Sequence, residues 1–309
     1  MANRIWAGGE RVKRGREIVG AASRRDFPLN RCYPYNCPLF SRMANIPLNT
    51  MRIALGIEYD GTEFSGWQLQ QGVRTIQGCV EEALSIVADY PVRVHCAGRT
   101  DAGVHGAGQV VHFDTGAERS MRSWVFGANA NLPKQIAVLW ATPVSEAFHA
   151  RFSAVRRRYR YVIYNRNVRP TFLAWRSSWE YRPLDVALMH EAAQYLVGEH
   201  DFSSYRAQAC QAKSPVRSVY RLDVTRRDEL VFIDIEANAF LHHMVRNIAG
   251  VLMAIGAGER PPVWAREILE LRNRALGGVT APPHGLYLMA VGYPEEFRLP
   301  QLGGGSAVW

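Results

Sequence analysis

The run CAGRTDAGVHG, Cys96 to Gly106, sets one carboxylate, Asp101, among three glycines and an arginine. No second acid, no metal-ligand spacing and no phosphate-loop lysine stands near it. Gly98, Gly103, Gly106 and Gly108 suggest a phosphate cradle, but the Gly-Lys-Ser/Thr that a nucleotide loop requires is missing. A tight turn in which glycines supply positive φ explains the glycines. It does not explain Arg99, Thr100 and Asp101 together, because an aspartate beside apolar strands needs a hydrogen-bond or charge partner. Acid–base glycosidase chemistry needs two carboxylates, so a second would have to arrive from afar in the chain. An aspartate can instead be a nucleophile, and a buried arginine would keep it ionised. Arg246, inside the apolar run FLHHMVRNIAGVLM, is costly to bury alone and so calls for a carboxylate partner. Asp101 is the partner expected.

Other candidates carry less. His242 and His243 resemble a metal pair, but adjacent positions on a helix point about 100° apart. One packed and one exposed histidine are expected, and with no HExxH or paired CxxC no metal is expected. The five cysteines form no even framework, which reads as free thiols in a reducing, cytoplasmic setting. Cys32 and Cys37 amount to half a metal site without its second pair, and Cys-His nucleophilic chemistry has no local signature. In VRRRYRYVIYN (155–165), Tyr159 and Tyr161 share one strand face and Arg158 and Arg160 the other. That is either a core aromatic face backed by a solvated basic one, or arginines for phosphates with a tyrosine for a base.

These residues must be positioned by an α+β scaffold. MRIALGIEYDG alternates as a half-buried strand ending at Asp60-Gly61. A helix is expected in 75–90, strands in 92–96, 108–115 and 136–144, and between the last two a helix stopped before Pro133. The second half repeats the scheme. Strand 155–165 leads to a helix over 184–198 closed by Gly198, then a hairpin over 218–238 turning at Arg227-Asp228. A long buried helix over 240–258, a surface helix over 264–274 and a last strand over 285–293 follow. Strands and helices in mixed order with hairpins argue α+β, and two halves of similar element order suggest two related lobes with a cleft between them as the natural site. The expected domains are 51–150 with the catalytic loop, 151–295, and a tail 296–309. Residues 1–50 are arginine-rich, broken by prolines and without hydrophobic period, and read as a poorly ordered extension. The change of character there suggests that translation begins at Met43. Net charge is +9, but residues 1–42 hold nine Lys+Arg against three Asp+Glu, so only +3 remains beyond them. Any case for an anionic partner therefore rests on local patches. No apolar run reaches the length of a membrane span and the start is no secretory signal.

The loop CAGRTDAGVHG closely resembles the catalytic loop of TruA-type tRNA pseudouridine synthases. GIEYDGTEFSGWQ (56–68), GQVVHF (108–113), NANLP (129–133), FHARFSA (148–154), RRYRYVIYN (157–165), DFSSY (201–205), ANAFLHHMVRN (237–247) and GLYL (285–288) resemble that family's blocks in its order. The resemblance covers about 51–295 and implies two α+β lobes sharing a continuous, mostly antiparallel sheet. It implies isomerisation of uridines 38 to 40 in the tRNA anticodon stem-loop to pseudouridine, with no cofactor and no metal, by a homodimer with tRNA lying across both subunits. It implies Asp101 as the essential aspartate, attacking either C1′ of the sugar or C6 of the base. Tyr159 would stack on the target base and take part in proton transfer at C5. Arg246 would pair with Asp101 and keep it charged, Leu286 would wall the pocket, and Arg99 would help draw the uridine from its stack. Two rivals stand beside this: an RNA-binding protein without catalysis, and an RNA glycosidase that releases the base. A buried carboxylate counts against pure binding, since it repels phosphate.

Overall fold

The computed structural model describes residues 50–300. The expected extension, its start at Met43, the Cys32–Cys37 pair and most of the tail lie outside the described residues. Ten strands run β1 (Met51–Tyr59), β2 (His95–Cys96), β3 (His105–Thr115), β4 (Ile136–Val144), β5 (Arg156–Asn165), β6 (Ser178–Glu180), β7 (Gly198–Asp201), β8 (Val216–Arg227), β9 (Leu230–Ala237) and β10 (Leu286–Gly292). Five α-helices accompany them: α1 (Ile76–Ala88), α2 (Met121–Asn131), α3 (Val186–Gln194), α4 (Met244–Gly256) and α5 (Trp264–Leu271).

One sheet takes all ten strands in the order β4-β1-β3-β10-β5-β9-β8-β7, with β2 on β3 and β6 on β5. Only β10–β3 and β5–β6 are parallel. The sheet is thus the mostly antiparallel one expected, shared by both halves of the chain. The last strand, β10, is the joint: it pairs with β3 through Tyr287–His105 and Leu288–Gly106, and with β5 through Leu286–Tyr161 and Leu288–Tyr159. One core lies under the first half, where Ile53, Leu55 and Ile57 meet Ile76, Leu84 and Trp124 of α1 and α2. Another lies under the second, where Tyr159, Tyr161 and Ile233 meet α3, α4 and α5.

Local chemistry sets the helix ends. The side chain of Thr75 accepts from the Gly78 amide at the start of α1, and Ser120 does the same for Ser123 in α2. Asp185 accepts from both Ala187 and Leu188 in α3. Each satisfies amides that the first turn leaves without partners.

Four expectations need correction. β1 is not half-buried: Ile53 to Ile57 are all buried. Its second face is covered by a smaller cluster in which Ala54 joins Ala97, Val110 and Phe148. The helix α3 ends at Gln194, and Gly198 opens β7 with φ of +110°. The long buried helix begins at Met244, because His243 sits in the left-handed region at φ 61° and breaks the helical path before it. The hairpin turn is carried by Asp228, at φ 54°, one position past the strand end at Arg227.

Candidate active site

The loop from Ala97 to Val104 leaves β2 and enters β3 beside the β10 joint. It is held by backbone and side-chain bonds together. The Ala97 amide donates to Val110 O at 2.8 Å, and the Trp67 amide donates to Thr100 O at 2.9 Å. The Val104 amide donates to Asp101 O at 3.1 Å, which closes the turn carrying Gly103 at φ 76°. The side chain of Gln109 donates to Gly98 O at 2.7 Å, and the hydroxyls of Tyr59 and Thr100 lie 2.8 Å apart. The neighbouring loop packs onto it through Gly66, where a Cβ would stand 2.8 Å from Thr100 O and 3.0 Å from Asp101 C. Gly66 also has φ of 85°, so both space and conformation require glycine there.

The turn presents the Asp101 carboxylate, 27% exposed, to the start of α4. The guanidinium of Arg246 (Nη1) lies 3.3 Å from Oδ2, and its Nε donates to Ala281 O at 2.8 Å. Arg246 is only 14% exposed, so it is aimed rather than solvated. The α4 start is itself anchored. Asn247 donates to Tyr205 O at 2.7 Å and accepts from Thr280 at 2.6 Å and Arg274 at 3.1 Å.

Both histidines before α4 also face Asp101. His242 Nε2 lies 3.3 Å from Oδ1 and His243 Nε2 3.4 Å from Oδ2. Their ring centroids are 4.0 Å apart. The expected divergence fails because neither residue is helical, and the positive φ of His243 turns its ring to the same side as its neighbour. Burial, ahead of the opposing pull of Asp101, lowers the His243 pKa.

Tyr159 on β5 is 8% exposed and meets Phe240 edge-on at 4.9 Å. A Cβ on Gly98 would lie 3.7 Å from its hydroxyl, so the phenol reaches the Asp101 loop. Burial pushes its pKa up, so it stays protonated near neutral pH. Leu286 is buried at the head of β10, opposite Tyr161. Arg99 is exposed on the loop and makes no side-chain hydrogen bond or ion pair among the described residues. Asp101, Arg246, Tyr159 and Leu286 thus gather at the joint, with Arg99 at its rim. Burial lifts the Cys96 thiol to about 11, which leaves it a poor nucleophile.

The β5 arginines divide unexpectedly. Arg160 makes a two-pronged bond to Asp234 at 2.8 and 2.9 Å, and Arg156 pairs with Glu236 at 3.3 Å. Most of that face is neutralised by β9 and does not form a stripe for phosphates. Arg157, on the tyrosine face, donates to four backbone carbonyls: Ala97 (3.2 Å), Arg151 (2.8 Å), Ala154 (3.0 Å) and Asn238 (2.9 Å). Burial pushes its pKa down. It braces the first residue of the Asp101 loop, a role the sequence reading missed although its odd-numbered position shares the parity of Tyr159. Phe240, Gly66 and the paired orientation of His242 and His243 were missed as well. The first two carry no distinguishing pattern in a single sequence.

The family model described as tRNA pseudouridine synthase matches residues 56–153 and 192–294. The chain is 64% identical to tRNA pseudouridine synthase A of Nitrosococcus oceani over 259 residues, 84% of this chain and 100% of that protein. Against the protein of the same name from Alcanivorax borkumensis it is 61% identical over 250 residues, 81% of this chain and 94% of the other. Against that of Pseudomonas aeruginosa the identity is 60% over 251 residues, 81% of this chain and 88% of the other.

Proposed function

The chain belongs to the tRNA pseudouridine synthase family, and from that premise we propose that this tRNA-uridine isomerase acts on nucleotides 38, 39 and 40 of the anticodon stem-loop with Asp101 as nucleophile. The observation that carries the reading is the single carboxylate 3.3 Å from the aimed guanidinium of Arg246; Tyr159 and Leu286, both buried, would wall the place of the uridine beside it. Asp101 attacks one carbon, at C1′ of the sugar or C6 of the base. The N1–C1′ bond breaks, the base turns in the pocket, and C5 joins C1′. The C5 proton leaves and N1 gains one, so the reaction is redox-neutral and consumes no water. One carboxylate suffices, because the same group opens and closes the sequence.

Arg246 supplies the counter-charge as the carboxylate is released and reused. Tyr159, kept protonated by burial, serves as a ring surface for the uracil and as a hydroxyl relay at C5, not as an anionic base. Arg99, at the rim and without a protein partner among the described residues, is suited to fill the gap left by the extruded uridine. The resemblance also supports a cytoplasmic homodimer with tRNA across both subunits. No helix among the described residues is long and apolar enough to cross a membrane.

The test is tritium release from tRNA labelled at uridine C5, with free uracil measured in parallel. Release without uracil, lost in Asp101→Asn while tRNA still binds, is expected. Free uracil would mean a glycosidase. Undiminished turnover by Asp101→Asn would remove the nucleophile, and no release by a tRNA-binding wild type would leave an RNA-binding protein.

A further inference from the structure

We infer that Asp101, His242 and His243 form an inhibitory binding site for a borderline divalent transition ion such as Zn2+. Their donor atoms all lie within 4.8 Å of one another. The two carboxylate–imidazole separations are 3.3 and 3.4 Å. Ligands held 2.0–2.1 Å from a tetrahedral zinc stand about 3.3 Å apart along the tetrahedron's edges. The Oδ1–His242 separation therefore already matches one edge of that tetrahedron; His243 Nε2 stands 3.4 Å from the other oxygen of the same carboxylate, and the 4.8 Å span of the donors leaves the remaining two edges to close.

The donor set selects the ion. Two imidazoles and one carboxylate suit zinc and its neighbours, whereas Mg2+ and Ca2+ take oxygen ligands. The Mg2+ that accompanies tRNA is therefore a poor competitor. Access is open, with His242 45%, His243 29% and Asp101 27% exposed. That exposure leaves a fourth corner for water.

Arg246 decides which oxygen the ion takes. Its guanidinium lies 3.3 Å from Oδ2, so the metal binds through Oδ1, beside His242, and Arg246 remains as the outer partner of the ligating carboxylate. The like charge of Arg246 weakens the site, which makes it reversible and not a permanent centre. A bound ion occupies the carboxylate that must attack the nucleotide, so turnover stops. The binding half of this inference is independent of the proposed reaction; only the loss of turnover rests on it.

The experiment is calorimetric titration of ZnCl2 into the full chain in millimolar Mg2+, with X-ray absorption at the zinc edge and the tritium-release assay over the same Zn2+ range. The expected result is an ion whose affinity falls by more than roughly tenfold in His242→Gln, since the loss of even an outer-shell partner of a ligand costs about that much. The His242→Gln, His243→Gln double variant loses it. Its shell contains nitrogen and oxygen at about 2.0–2.1 Å and no sulfur near 2.3 Å. Turnover falls as the site fills and returns with EDTA. Equal Zn2+ affinity in wild type and the double variant would overturn the site, as would sulfur in the shell, which would place the ion on the chain's thiols. Saturated Zn2+ with undiminished turnover would overturn the inhibition. A wild type that never releases tritium would instead sink the proposed reaction and leave the titration to decide the site.

Discussion

Arg157→Met separates scaffold from RNA contact within a single side chain. The guanidinium donates to four carbonyls between 2.8 and 3.2 Å, in three different segments of chain. Hydrogen bonds from a charged donor contribute roughly 1.5–3 kcal/mol each. The desolvation that pushes the Arg157 pKa down offsets much of that sum, by several kcal/mol. Methionine keeps most of the apolar stem but leaves four carbonyls under-satisfied. The expected net loss is about 3 kcal/mol, out of a total stability of roughly 5–15 kcal/mol. Urea unfolding at pH 7 reads this as a lower midpoint at unchanged slope. Because Ala97 O is one of the four, the Asp101 loop also loosens. We expect kcat for tritium release to fall roughly tenfold, about 1.4 kcal/mol of barrier, with KM for tRNA little changed. The opposite pattern would refute the reasoning: intact stability, a raised KM, and a salt dependence of tRNA binding shallower by about one phosphate contact.

Arg246→Ala removes both the Ala281 bond and the Asp101 pair, and should cost about 2–4 kcal/mol in unfolding experiments as well as turnover; an equally stable, fully active variant would dissolve the pair. Gly66→Ala forces a Cβ to 2.8 Å from Thr100 O at a positive φ. Its expected penalty of roughly 1–3 kcal/mol should come with a loss of kcat, and unchanged kcat would mean that the two loops move independently. His112 is held down at about 3, first by burial and then by His149 and His95. Between that value and its ordinary 6.5 the unfolded chain binds a proton that the folded chain refuses. Stability is therefore full above pH 6.5 and falls as pH decreases toward 3, by at most about 2 kcal/mol from pH 7 to pH 5. His112→Asn keeps an acceptor for the Ala150 amide and removes the titration, so its unfolding midpoint should vary less over that range; an identical pH slope in both proteins would exclude His112 as the source.

The order of elements was legible because hydrophobic periods and turn residues are local. The α+β class, the hairpin and the Asp101 loop follow from them directly. What failed was non-local or conformational. β1 reads as half-buried because Arg52 and Glu58 stand on its second face, yet Phe148, nearly a hundred residues on, helps cover that face. His242 and His243 could not be read as convergent without knowing that His243 adopts φ 61°. Arg157 was legible in principle. A period of two that buries Tyr159 and Tyr161 also turns Arg157 inward, and a half-buried arginine demands partners. The expectation stopped at carboxylates, whereas here backbone carbonyls serve. For Arg246 a carboxylate does lie within reach, brought from 145 residues away.

The place of β10 in the sheet has a consequence for biosynthesis. Ribosomes add roughly 5–20 residues per second, so a nascent chain that has completed β5 waits on the order of ten seconds for Leu286 to Gly292 to be made. Until then β3 and β5 lack the strand that lies between them, and both present unpaired edges to solvent or to each other. Such edges recruit other strands. Premature termination anywhere before Leu286 should therefore yield aggregates instead of a weakened enzyme, and a factor that holds nascent chains should matter most in that interval. The setting of Asp101, divided between segments that the last strand unites, is among the last features of the molecule to exist.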